Sequence, residues 1–240
     1  MRNKHFINLE CTSGKFQVPW KLRDIIIVFL ICFIATLLSL SDYVLIFIGL
    51  FLKNASSQEL FTYYLSGIIF LVTPILWIKK IYKSKIEMLG IRKGRWPLSL
   101  TIIVGIGVGV AYYFPTQAIL GLPLDLNRFL VKSIYITIVS KLIFGVIFDS
   151  ILIPIIEEVL NRGFIYGYLR KRFGVLLGLL IQSIVFVVPH LEVIISDPIP
   201  QIIHKFILGL ILGVLYEISG SLYPSMICHA ILNFLAFRGP

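Results

Sequence analysis

Glu157, Glu158 and Arg162 stand inside an otherwise apolar run, Pro154 to Arg172, PIIEEVLNRGFIYGYLRKR. Ionisable groups at that depth cost several kcal/mol unless they are paired or wet, and they mark a functional site by default. Glu158 and Arg162 are four apart, on one helix face, so a carboxylate can hold a guanidinium there. Glu157 points about 100° away and is left for other work. Two later stretches carry partners: Phe186-Val187-Val188-Pro189-His190, and His229-Ala230-Ile231-Leu232-Asn233. A carboxylate and a neutral imidazole in a low-dielectric pocket can both press on one water and raise its nucleophilicity. His229 and Asn233, again one turn apart, could then hold a carbonyl oxygen as it becomes negative. The chemistry implied is hydrolysis of an amide inside a membrane. Glu157, His190 and His229 could instead hold a divalent metal such as Zn²⁺ with an open water position. Spacing does not decide between the two, and the soluble H-E-x-x-H signature is absent.

Elements of known length must position these groups. The chain has 240 residues, 58% hydrophobic and 14% charged, with mean hydropathy +0.95. Several continuous apolar runs match the roughly 20 residues needed to cross a hydrocarbon core. The expected fold is all-α: a polytopic membrane bundle of about seven or eight helices. Continuous rather than alternating runs exclude a β-barrel. The net charge of +10 does not signal a nucleic-acid partner. It lies in short segments between apolar runs, above all Lys79 to Arg95, where the positive-inside rule puts it. The expected partners are the lipid bilayer and a peptide or protein substrate. Cys11, Cys32 and Cys228 form no disulfide framework. Cys228 adjoins His229, but helical neighbours diverge by about 100°, which excludes a ready cysteine–histidine couple.

Along the chain, residues 1–24 read as a basic lead-in with Trp20 as an interface anchor. Ile25 to Leu52 is a first apolar segment interrupted at Ser41-Asp42; Leu60 to Ile78 and Trp96 to about Leu120 are further spans. Gly105, Gly107 and Gly109 in the last of these suggest close helix packing. After a loop at Gly121 to Lys132, apolar sequence continues from Ser133 to about Arg170. A break is expected near Ser150 to Pro154, with Pro154 opening a new helix and Asp149 just before it. Gly174 stops that helix. Val175 to His190 follows, then a loop at Leu191 to Pro200, and a final pair, Gln201 to Glu217 and Ser221 to Phe237. Glu157 lies 15 residues before Arg172 and His190 lies 16 after Gly174. In an antiparallel hairpin these are about 22 and 24 Å from the turn, so the two side chains share a depth. His5 and His204 receive no role. Residues 1–95 are expected to hold the basic tail and variable transmembrane helices, and residues 96–240 the helical core.

The three fragments, E-E-x-x-x-R at Glu157-Glu158-x-x-x-Arg162, F-x-x-x-H at Phe186-x-x-x-His190, and H-x-x-x-N at His229-x-x-x-Asn233, occur in order on apolar helices. In this the chain resembles the CPBP family, the CAAX proteases and bacteriocin-processing enzymes also called the Abi family. The likeness covers about residues 145–237. It implies that Glu157 and His190 activate water, that His229 and Asn233 form the oxyanion site, and that Glu158 and Arg162 support them. It also implies an integral, multi-pass protein of a bacterial plasma membrane acting on a membrane-associated or peptide substrate. The family is often labelled as metalloproteases, with metal dependence an open question. The alternatives are a non-catalytic immunity or peptide-escort protein of the same fold, and a proton-coupled carrier. The carrier would favour inverted repeats, which the sequence lacks.

Overall fold

The computed structural model describes residues 18–39, 41–53, 55–119, 146–190 and 198–236, and these residues hold helices and turns without a strand. The polar lead-in before Val18, the 121–132 loop, the apolar stretch 133–145 and the 191–197 loop lie outside the described residues. Helices α1 (Leu22–Ser39) and α2 (Asp42–Gly49) part at the expected Ser41-Asp42 interruption. Helix α3 (Ala55–Lys80), a 3₁₀ turn (Ile86–Leu89) and α4 (Leu98–Ile119) follow. Among the described residues three helical stretches are long and apolar enough to cross a membrane: Phe61–Lys80, Leu98–Gln117 and Ile199–Ser219. The bent pair α1–α2 makes a fourth if it is one span. Apolarity on both faces of α1 fits that setting. Ile25, Val28 and Cys32 are buried, while Ile26, Leu30, Phe33 and Leu37 are exposed. In a water-soluble helix the second set would be polar.

The break expected between Ser150 and Pro154 is absent. A π-helical turn (Phe148–Leu152) runs into α5 (Ile153–Glu158), then into a second π-helical stretch (Val159–Tyr166) and α6 (Gly167–Val187). Leu152 and Ile153 both keep right-handed helical dihedrals. The physical reason lies in the hydrogen-bond register. The Ile153 N–H reaches back to the Phe148 carbonyl, five residues away. Pro154 has no N–H to give to the next carbonyl, that of Asp149. Asn233 Nδ2 donates to it instead, at 2.9 Å. A side chain from the end of the molecule thus lets the helix continue past the proline.

The glycine stop is real. Within α6, Gly174 adopts φ 79 and ψ −178, and the chain reverses there. Gly178 then lies against the Arg170 backbone nitrogen and the Tyr166 ring, where an added Cβ would meet atoms at 3.1 and 3.2 Å. Further along, the Arg162 guanidinium sits 4.3 Å from the Phe186 ring centroid. Arg162 and Phe186 are equally distant from Gly174 along the chain, so the two arms form the expected antiparallel hairpin. A 3₁₀ turn, Val188–His190, ends the second arm.

Helix α7 (Pro198–Ser219) runs antiparallel to that arm, Gly213 against Leu179 and Gly209 against Ser183. Helix α8 (Tyr223–Ala236) packs on α4. Gly105 meets Ile227 and Gly109 meets the Cys228 carbonyl, whereas Gly107 faces open space. Two of the three glycines therefore serve close approach. Trp20 is not an interface anchor. It is fully buried, stacks on Phe164 at 5.2 Å and donates from Nε1 to the Phe164 carbonyl at 2.8 Å. Part of the basic 79–95 segment also does more than set topology. Arg95 donates to the carbonyls of Glu217 and Ile218, and Arg92 to that of Gly220. These cations thus meet the negative C-terminal end of α7. Nearby, Asp24 accepts bonds from the Lys21 backbone, Trp77 and Tyr82. Burial and that bond push the Tyr82 hydroxyl above its ordinary pKa.

The tightest approach around the central helix is at Gly163, where a Cβ would stand 2.5 Å from the Leu89 carbonyl oxygen. Backbone cannot give way as a side-chain tip can. Gly163→Ala is expected to cost about 1–3 kcal/mol and to lower the thermal midpoint in detergent. Gly107→Ala, where a Cβ meets nothing within 4 Å, is the control expected to keep the wild-type midpoint.

Candidate active site

The site is built around Glu158, which is fully buried. Its Oε1 accepts from Arg162 Nη1 at 2.9 Å and from His229 Nδ1 at 2.9 Å. The first contact is the i, i+4 pair that the spacing predicted; the second ties α5 to α8. Arg162 also donates from Nη2 to the Gly209 carbonyl at 3.3 Å, which ties both to α7. Gln182 Nε2 reaches the same carbonyl at 2.8 Å. A guanidinium cannot lose its proton, so the carboxylate beside it is the ionised, acceptor-only form. His229 Nδ1 must then carry a hydrogen, and its Nε2 faces outward from this pair.

That outward nitrogen stands 3.7 Å from Glu157 Oε2. The gap is beyond hydrogen-bond length. Glu157 Oε2 is buried and has no hydrogen-bond partner among the described residues, although the side chain as a whole is 25% exposed. One carboxylate oxygen is thus enclosed and uncommitted while the residue keeps a route to the outside. His190 completes the third side. Its Nδ1 lies 2.9 Å from the Phe186 carbonyl. A carbonyl only accepts, so Nδ1 donates and Nε2 keeps its lone pair. The Phe186 ring packs against both imidazoles, with centroids 5.1 Å from His190 and 5.8 Å from His229. Phe186 is therefore a shared neighbour of the two histidines.

Glu157, Glu158, Arg162 and His229 are thus brought together, and His190 reaches them through the Phe186 ring that it shares with His229. Asn233 is on the same helix as His229, but one of its amide hydrogens is committed to the Asp149 carbonyl. The other is the one it can offer to an oxyanion. Cys228 is a buried free thiol packed into the core beneath α4. The proposed metal ligands do not gather as ligands must. Among the described residues no three His, Cys, Asp or Glu side chains are grouped to hold an ion. His229 spends one ring nitrogen on Glu158, and His190 spends one on a backbone carbonyl.

Residues 139–235 match the family model described as Rce1-like, type II CAAX prenyl endopeptidase. Over this stretch the chain is similar to the CAAX proteases. The Rce1-like stretch contains every site residue named above. No curated protein and no solved structure matches the chain.

Sequence reasoning missed some of the polar groups that hold the Rce1-like helices in place. Arg170 bonds Glu217 through Nε and Nη2 at 2.7 and 2.8 Å, and Tyr166 donates to Glu217 at 2.8 Å, all buried. The signal was available: Tyr166 and Arg170 are one turn apart, and Glu217 is an acid inside an apolar helix. The basic run Arg170-Lys171-Arg172 hid it by looking like a topology flank. His204 is not idle either. Tyr112 on α4 donates to its carbonyl at 2.8 Å and lies 3.1 Å from its Nδ1.

The Asn233–Asp149 contact can be tested against its cause. Asn233→Ala leaves a carbonyl without its donor, and a loss of about 1–2 kcal/mol is expected. Pro154→Ala restores a backbone N–H at that position. The double variant Pro154→Ala/Asn233→Ala is expected to melt higher than Asn233→Ala alone, read as thermal midpoints in detergent.

Proposed function

We propose that the protein is an intramembrane endopeptidase that hydrolyses a peptide bond with a water activated by Glu157 and His190. The observation that carries this reading is the enclosed, uncommitted Glu157 oxygen set between an outward His229 Nε2 and the His190 arm. Glu158 Oε2 also lacks a partner, but Glu158 is fully buried and tied to Arg162, whereas the Glu157 side chain is 25% exposed; a general base must keep an oxygen available for a substrate-bound water.

In this reading Glu157 takes one proton from the water, and His190 Nε2 accepts from the other hydrogen and orients it. The water oxygen bonds to the scissile carbonyl carbon, and the carbonyl oxygen gains the negative charge. The remaining Asn233 amide hydrogen faces that oxyanion, with the His229 ring one helical turn away. Glu158 fixes the His229 ring as a carboxylate orients a catalytic histidine, and Arg162 keeps Glu158 charged in the interior. The intermediate collapses with cleavage of the C–N bond as the proton held by Glu157 passes to the leaving amine. The substrate class that the family description suggests is a peptide cut near its C-terminus beside a prenylated cysteine.

The test is a cleavage assay on purified protein in detergent, with and without a chelator. The substrate is a labelled peptide ending in S-farnesyl-cysteine, two aliphatic residues and one further residue. Glu157→Gln and His190→Ala are each expected to lower kcat by at least about 10²-fold while the protein still accumulates in the membrane. Activity that survives in both variants would defeat the water-activation reading. Activity that is lost to chelator and recovered with zinc would replace carboxylate activation by metal activation.

A further inference from the structure

Lys205 is the cation inside the apolar stretch Ile199–Ser219 of α7. It is half-buried and forms no hydrogen bond or ion pair among the described residues. An intramembrane lysine with no ion pair among the described residues is costly and calls for a counter-charge. Its place in the fold follows from two helix registers. Along α6 and α7, Leu179 faces Gly213 and Ser183 faces Gly209. The next antiparallel step puts Lys205 beside Val187. Side chains on a helix lean toward its N-terminus, so the ammonium leans from there toward the level of His190. The hairpin register, Arg162 opposite Phe186, brings Glu157 to that same level. Lys205 is accordingly within electrostatic reach of both Glu157 and His190, yet outside the 4.0 Å of an ion pair. The Tyr112 bond to the His204 carbonyl fixes this turn of α7.

A cation with no ion pair among the described residues, a short way from Glu157 and His190, suits a substrate that carries its own anion. An extended chain spans about 3.3–3.6 Å per residue, so three residues cover about 10 Å. A carboxylate one to three residues beyond the scissile bond would fall near Lys205 while the bond lies at Glu157. We infer that Lys205 binds the C-terminal carboxylate of the substrate and so restricts cleavage to bonds close to a chain end. This rests on the endopeptidase reading above, which says nothing about how the enzyme would recognise a chain end.

The test compares four forms of the farnesylated peptide. One has a free C-terminal acid and one a C-terminal amide. One is an amide with Asp as its last residue, and one is lengthened by four residues with a free acid. Each is measured for cleavage by the wild type and for binding, by fluorescence anisotropy, to the Glu157→Gln protein. The acid is expected to bind and react with a KM about tenfold below that of the amide, corresponding to one charge-assisted contact. Lys205→Met is expected to bring the acid-to-amide ratio to about one, chiefly through KM. Lys205→Arg is expected to keep the ratio, which separates lost charge from lost structure. Equal affinity for acid and amide, binding of neither, or equal treatment of the lengthened peptide overturns the assignment. So does binding of the Asp-bearing amide as well as the acid, which would point to side-chain recognition. Acid-selective binding that depends on Lys205 in a protein that cleaves nothing sustains the carboxylate site and overturns the endopeptidase reading instead.

Discussion

One carboxylate oxygen organises the active half of this protein. Glu158 Oε1 takes both the Arg162 guanidinium and the His229 imidazole, and Arg162 extends the chain of contacts to the Gly209 carbonyl and the Phe186 face. A buried ion pair adds little net stability, because desolvating both ions offsets their attraction. Its value here is directional. It fixes the His229 ring, assigns its Nδ1 hydrogen and points Nε2 at Glu157. Without that constraint the two glutamates would be adjacent like charges with no defined division of labour.

The second constraint is the backbone that carries those glutamates. The helix from Phe148 to Tyr166 includes two π-helical stretches around α5. π-bulges are uncommon and concentrate at functional sites because they re-aim side chains and loosen the backbone bonds. Here the looseness has identifiable supports. Asn233 serves the Asp149 carbonyl that Pro154 cannot, Trp20 serves the Phe164 carbonyl, and Gly163 lets Leu89 press close. The irregular helix is held from three directions by parts of the chain remote in sequence. Asn233, one turn from His229, is thereby a support for the helix that bears Glu157.

Charge is distributed by function along the helices. At one end Arg92, Arg95, Arg170 and Glu217 join the α7–α8 turn to the rest. In the middle, Arg162 is matched by Glu158. Toward the start of α7, Lys205 stands near the level of Glu157 without an ion pair between them. The first set is paired within the protein; the second pairs Glu158 with Arg162 but leaves Glu158 Oε2 and Arg162 Nε without partners among the described residues, and the third leaves Glu157 Oε2 uncommitted beside a part-exposed side chain.

Much of the site was legible in the residues. The i, i+4 spacing of Glu158 and Arg162, the Gly174 stop and the equal arm lengths about it follow from helix geometry alone, and the hairpin obeys them. Hydropathy was enough to identify a membrane bundle, because a chain this apolar has no other way to satisfy its backbone in lipid. What tertiary structure decided was where hydrogen bonds between distant segments go. Pro154 reads locally as a helix start, yet the helix continues because Asn233 supplies the missing donor. Trp20 reads as an interface residue, yet its indole is spent on Phe164. Arg170 reads as a topology charge, yet it holds Glu217. Local spacing fixes which face a side chain occupies; which distant carbonyl or carboxylate meets that face depends on long-range packing that no local period encodes.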